Sequence, residues 1–182
     1  TELAAARVNQ VDVLAPASYL RSQQDLADAK VGQEKGRDSK DVLHAVSSGQ
    51  AYLARALTAS KKTGLAMDEV GAARKQALAA GAHIMYAEAL ASADENLRGI
   101  TSQIETGDTS GVDDSRGKLQ AAYLDLELKS ITHKAVGQPQ STLEQANKEG
   151  AQEQAAQSLA VTRKKIQDTE AYIVANRHES DQ

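Results

Sequence analysis

The chain contains no cysteine, no phenylalanine and no tryptophan. Without cysteine, disulfide scaffolds and thiolate metal centres are excluded, while an extracytoplasmic location stays open, because a helical protein there needs no disulfide. Without Phe and Trp, and with only five Tyr, a thick aromatic core is excluded. Helices built from this sequence must approach one another through Ala, Leu, Val and Ile, which favours thin bundles or coiled coils. Proline occurs only at Pro16 and Pro139, both near expected helix starts, so helix interiors should be free of breakers. No apolar run approaches the roughly 18 residues of a spanning helix, and no signal-peptide pattern is visible. The sequence opens at Thr1 rather than Met, as expected of a mature chain or a fragment of a longer protein.

What is present is charge of both signs. The 21 Lys and Arg and 25 Asp and Glu are interspersed, for a net charge of −4. No basic stripe stands out, so nucleic-acid binding is not expected. Mixed charge of this kind reads as solvated helix faces.

The hydrophobic pattern is helical throughout. The opening stretch to Leu14 reads as a short helix or arm. A first clear helix is expected over residues 16–35, with Pro16 in the first turn and Gly36 at the C-terminal cap. Asp38 or Ser39 can cap the second, whose apolar residues Val42, Val46, Gly49, Leu53 and Ala56 step by four and three, the seam of a heptad helix. Gly64 should stop or bend it. A long third helix is expected over residues 67–105, with Tyr86, Leu90, Ala93, Leu97, Ile100 and Ile104 on one face. Continuous, it would span roughly 58 Å. Thr106-Gly107-Asp108-Thr109-Ser110-Gly111 is the clearest loop, with Ser110 as the next N-cap.

A fourth helix should run to about Val136 and close at Gly137 and Pro139. Leu119, Tyr123 and Leu126 mark one face, and Leu124, Leu128, Ile131 and Ala135 mark another. Ser141-Thr142-Leu143-Glu144 has the form of a capping box. The last helix should run to about Asn176, with Leu159, Thr162, Ile166, Thr169 and Ile173 along its seam and a frayed tail over residues 177–182. The expected fold is therefore all-α: an elongated antiparallel helical bundle, coiled-coil-like, of about five helices in a single domain over residues 1–182.

Residues 15–37 also align without a gap to residues 155–177. Ala15/Ala155, Ser18/Ser158, Asp28/Asp168 and Arg37/Arg177 are identical, and Tyr19/Leu159 and Leu26/Ile166 keep apolar character. Gly36-Arg37-Asp38 and Asn176-Arg177-His178 close the two segments alike. The alternatives are an internal duplication, in which the chain stops where a further helix would begin, or simply two amphipathic helices of similar length.

Residues able to carry chemistry are scattered. Of His44, His83, His133 and His178, none lies in a metalloprotease His-Glu-x-x-His motif. Asp41-Val42-Leu43-His44 is a single distant relative of the Glu-x-x-His ligand pair of di-iron bundles, which needs a second copy. Asp113-Asp114 falls at a helix start, where the dipole favours acids. Ser47-Ser48-Gly49 and Thr109-Ser110-Gly111 are not nucleophile elbows, and no glycine-rich phosphate loop occurs. The tyrosines are spaced as core and boundary anchors, and Arg163-Lys164-Lys165 reads as a solvated face. No catalytic, cofactor-binding or metal-ligating residue is assigned, and the chain is not expected to be an enzyme.

One segment resembles a known family. Leu14-Ala15-Pro16-Ala17-Ser18-Tyr19-Leu20, with Leu26, Ala29, Lys30 and Arg37-Asp38, is similar to a pattern in the helical N-terminal regions of bacterial OmpA-like outer-membrane lipoproteins. Residues 155–178 resemble its second copy, with Ala156 where the first has Pro16. The resemblance implies a periplasmic, outer-membrane-associated helical region acting as a spacer or as a partner-binding module, through a protein partner or self-association along the apolar seams. This sequence carries neither the lipobox cysteine nor the α/β domain that binds peptidoglycan in that family, so peptidoglycan would be reached only through a domain absent here. A ligand-sensing periplasmic four-helix bundle and a cytosolic coiled-coil adaptor or secretion chaperone are the competing readings.

Overall fold

A computed structural model describes residues 2–176 of the chain. Every element formed by these residues is an α-helix, and none of them is in a strand. The elements are α1 (Glu2–Val8), α2 (Val11–Leu14), α3 (Pro16–Glu34), α4 (Ser39–Ala66), α5 (Asp68–Ala80), α6 (Ala82–Met85), α7 (Ala87–Thr106), α8 (Val112–Lys148), α9 (Ala151–Gln154) and α10 (Ala156–Asn176). They form two compact units, one of residues 1–72 and 91–120 and the other of residues 73–90 and 121–182. The all-α expectation holds. The helix count does not, since ten segments replace about five among the described residues.

The extra segments come from a backbone device that occurs three times. At Gln10, Gly81 and Gly150 the chain enters the left-handed region, with φ of 62°, 93° and 82°. In each case that residue's N–H donates to the carbonyl three residues back, on Arg7, Leu78 and Asn147. A four-residue helix follows: α2, α6 or α9. The chain then leaves helical geometry at Ala15, Tyr86 and Ala155, with φ of −142°, −134° and −140°. These three residues donate to Val11, Ala82 and Ala151, and their carbonyls accept from Tyr19, Leu90 and Leu159, each the fourth residue of the next long helix. The single helix expected over residues 67–105 is thus broken by the second occurrence, and the last expected helix by the third. Glycine at 81 and 150 meets the left-handed conformation without a Cβ penalty, whereas Gln10 bears that strain itself.

The fourth helix departs from expectation in the opposite way. It continues through Gly137 and Pro139 to Lys148 as part of α8. An interior proline costs about 3 kcal/mol, because it removes one helical N–H and crowds the carbonyl four residues back. Ala135 and Pro139 are both exposed, so water can take the bond that the ring removes. The Ser141 capping box therefore starts no helix. Ser110 does not cap α8 either: its hydroxyl and N–H both turn back to Asp108 Oδ1, at 2.6 and 2.9 Å, and Gly111 at φ 74° precedes the helix. Asp38 does cap α4, accepting from Lys40 N at 2.8 Å.

The expected seams bury in part, with Val42, Val46, Tyr86 and Ile100 only half-buried. Gly49, Leu53 and Ala56 of α4 are buried, as are Leu90, Ala93, Leu97 and Ile104 of α7 and Leu119, Tyr123 and Leu126 of α8. The second face of α8 is only half-buried at Leu124, Leu128 and Ile131, and exposed at Ala135. On α10 only Leu159, Ile166 and Ile173 are buried, at a spacing of seven, while Thr162 and Thr169 are exposed. In the first unit α3 and α4 form a hairpin, with Ala6, Val11, Ala15, Tyr19, Leu53 and Ala56 in one apolar cluster. Gly49 sets the closeness of the pair: a Cβ there would lie 2.6 Å from Leu26 Cγ.

Candidate functional site

A polar arrangement in the first unit surrounds the break between α2 and α3. A helix that stops and restarts strands backbone groups. With α2 and α3 offset at Ala15, the N–H groups of Ala17 and Ser18 lose their helical acceptors, and the carbonyl of Val13 loses its donor. Pro16, at the first position of α3, has no N–H to strand. Ala15 has no side chain that could cap.

α7 supplies both missing partners. Glu105 Oε2 accepts from Ala17 N and Oε1 from Ser18 N, each at 3.1 Å, and Oε1 also accepts from the Ser18 hydroxyl. One turn earlier on the same face, the Thr101 hydroxyl reaches the Val13 carbonyl at 2.6 Å as well as its own helix's Leu97 carbonyl at 2.9 Å. A carboxylate at the start of α3 also sits at the positive end of its dipole. Together these contacts form a clasp: α7 completes the hydrogen bonding of a break made in α2–α3.

Beside the clasp lies a cleft of about 280 Å³ lined by Arg7, Asp12, Pro16, Tyr19, Leu20, Gln23 and Arg98. Arg7 pairs with Asp12 at 3.6 Å and Arg98 with Glu95 at 3.3 Å. The Tyr19 hydroxyl donates to the Leu3 carbonyl at 3.2 Å. Burial raises the Tyr19 phenol above its ordinary value of 10.0; the Asp12 carboxylate adds to the rise and the Arg7 guanidinium opposes it. The sign follows directly. The folded chain holds this proton more tightly than the unfolded one, so the contribution is fully present below pH 10 and is lost as pH rises through the raised value. Ultraviolet phenolate titration should show a tyrosine ionising later than in the unfolded chain, and Tyr19→Phe should remove that late phase. If the late phase survives in Tyr19→Phe, it belongs to another tyrosine.

The candidate residues from the sequence do not converge. Among the described residues no three of His, Asp and Glu could hold a metal ion together. His44 and Asp41 are exposed on α4, and His83 is exposed on α6. His133 meets Tyr86 edge-on, with ring centroids 6.3 Å apart. His178 lies outside the described residues. Asp113 pairs with Arg116 at 3.3 Å and Asp114 is exposed, both in the first turn of α8. Ser48 donates to Asp25 at 2.6 Å, which joins α4 to α3, and Ser110 is engaged by Asp108 as described. Arg163, Lys164 and Lys165 are exposed on α10.

Four of the residues singled out in the segment from Leu14 to Asp38 lie at or beside the clasp. Ala15 is the break, Pro16 opens α3, Ser18 receives Glu105, and Tyr19 enters the apolar cluster. Thr101 and Glu105 were not legible as partners, because nothing in a single chain pairs residues nearly ninety positions apart. No protein-family model matches the chain, and neither does any curated protein or solved structure. No described helix is long and apolar enough to cross a membrane.

Proposed function

We propose that the chain is a non-enzymatic helical spacer and protein-interaction module of the cell envelope, an elongated antiparallel bundle of the kind that precedes the peptidoglycan-binding domain of OmpA-like proteins. The observation that carries this reading is the repeated break at Gln10, Gly81 and Gly150, 71 and 69 residues apart, each followed by a long helix with an apolar seam. A tandem helical unit sets length and offers seams; it does not by itself assemble reacting groups. The polar residues Ser18, Thr101 and Glu105 at the first break support the same reading, because their side chains are engaged in satisfying backbone groups and one another.

The test is location and dependence. In the source cell, the native gene product carrying an epitope tag should fractionate with the periplasm and outer membrane. His44→Ala and Asp113→Ala should fold and fractionate as the parent does, because both side chains are exposed. Recovery from the cytosol with one stoichiometric partner would replace this reading with the adaptor. A saturable rise in melting temperature with a small metabolite would replace it with the sensor.

A further inference from the structure

The cleft beside the clasp carries more charge than the break needs. Its walls lie within one compact unit and set Arg7, Asp12 and Arg98 beside the apolar Pro16, Tyr19 and Leu20. The other two breaks follow the same backbone path with Leu78 and His83, or Asn147 and Gln152, at the positions of Arg7 and Asp12. The Arg7–Asp12 pair is therefore not a requirement of the turn. Nor is it a strong source of stability. The Asp12 side chain is only 12% exposed, its partner is 75% exposed, and 3.6 Å is long for a charge-assisted hydrogen bond.

Two of these groups are available to a ligand. Asp12 Oδ1 is buried without a hydrogen-bond partner, a condition that calls for a donor. Arg98 pairs with Glu95, which is 78% exposed; such surface pairs contribute little, so the guanidinium can turn to a ligand. Two guanidinium groups and one carboxylate leave the lining with one positive charge in excess. A ligand that balances it brings one carboxylate for Arg98 and Arg7, and an uncharged N–H for Asp12. The last residue of a polypeptide carries both groups on a single carbon. A free amino acid brings an ammonium instead, which restores the excess positive charge beside two guanidinium groups. Pro16, Leu20 and the Tyr19 ring suit an aliphatic side chain, and about 280 Å³ is room for one residue rather than a folded segment.

We propose that this cleft binds the C-terminal residue of a partner polypeptide, an aliphatic one, with its carboxylate on Arg98 and Arg7 and its amide N–H on Asp12. This names the partner chemistry of the interaction module and rests on that reading.

The test titrates the full chain, followed by amide-proton NMR, with N-acetyl-alanyl-leucine, its C-terminal amide and free leucine. The peptide acid should bind saturably, with the amide and free leucine each about tenfold weaker, the effect of one charge-assisted contact. Arg98→Met should weaken the acid by about tenfold and bring acid and amide close together, while the circular dichroism stays that of the parent. Arg7→Met, at a more exposed side chain, should act in the same direction. Lys62→Met, which removes an exposed positive charge from α4 in the same unit, should leave all three affinities unchanged. Absence of saturable binding, equal binding of acid and amide, or an acid affinity unmoved by both arginine changes overturns the site and leaves envelope fractionation untouched. Free leucine bound more tightly than the peptide acid also overturns it, since the ligand would then be a metabolite.

Discussion

Leu97→Asp is expected to unfold the chain at ambient temperature or to bring its urea midpoint close to zero. Leu97 is fully buried on α7, one turn before Thr101, which reaches both the Leu97 and the Val13 carbonyls. Replacing it removes a buried aliphatic side chain, at about 2–5 kcal/mol. It also places a carboxylate where no charge partner is supplied, at several kcal/mol more or at the expense of protonating the acid. Against a total stability of about 5–15 kcal/mol for a typical domain, that sum is decisive. The control is Leu65→Asp. Leu65 is 83% exposed on α4, and the same change there should alter stability by less than about 0.5 kcal/mol. Urea melts followed by helical circular dichroism distinguish the two. If Leu97→Asp melts with the parent, the seam of α7 has been assigned to the wrong face.

Seams of this kind are what a sequence states most openly. Apolar residues at four-and-three spacing mark the buried side of α4, α7 and the first half of α8, because that spacing is the geometry of one helix face and burial against any neighbour selects it. The same rule misleads where burial is one-sided by position. Thr162 and Thr169 continue the α10 seam in sequence, yet they are exposed, whereas Ser22 and Ala29 at the matching positions of α3 are buried.

The breaks were harder to read. Gly81 has the form of a tolerated helix glycine, and only its backbone geometry, with Met85 Cε and Lys134 Nζ each 3.2 Å from where a Cβ would sit, marks it as a turn. Gln10 carries no conformational signal at all, because left-handed glutamine is an exception to local preference. Pro139 carries the opposite signal: local chemistry says stop, and α8 continues through it. In each case a tertiary setting overrides a local rule, and the setting is not visible to a reader of neighbouring residues.

Glu105 shows how much of such a setting one side chain can hold. Glu105→Ala removes the acceptor for the Ala17 and Ser18 N–H groups and for the Ser18 hydroxyl together. Loss of an N-cap costs about 0.5–2 kcal/mol, and charge-assisted bonds stand at the upper end of hydrogen-bond values. Glu105 is half-buried, so water can replace part of what is lost. The expected destabilisation is about 2 kcal/mol, or a fall of roughly 6 °C in melting temperature for a chain of this size. The effect should be local in origin. Hydrogen exchange should quicken first at the start of α3, at Ala17 and Ser18, while the middle of α4 keeps its protection.

Glu105→Gln is the informative companion, because the amide keeps one acceptor oxygen in the same place and should recover a part of the loss. Ser18→Ala, combined with Glu105→Ala, closes a double-mutant cycle: the two residues are in contact, so their effects should fall short of additivity. Strict additivity, with exchange at Ala17 and Ser18 unchanged, would mean that α3 starts without help from α7, and the clasp would then be a contact without a structural role.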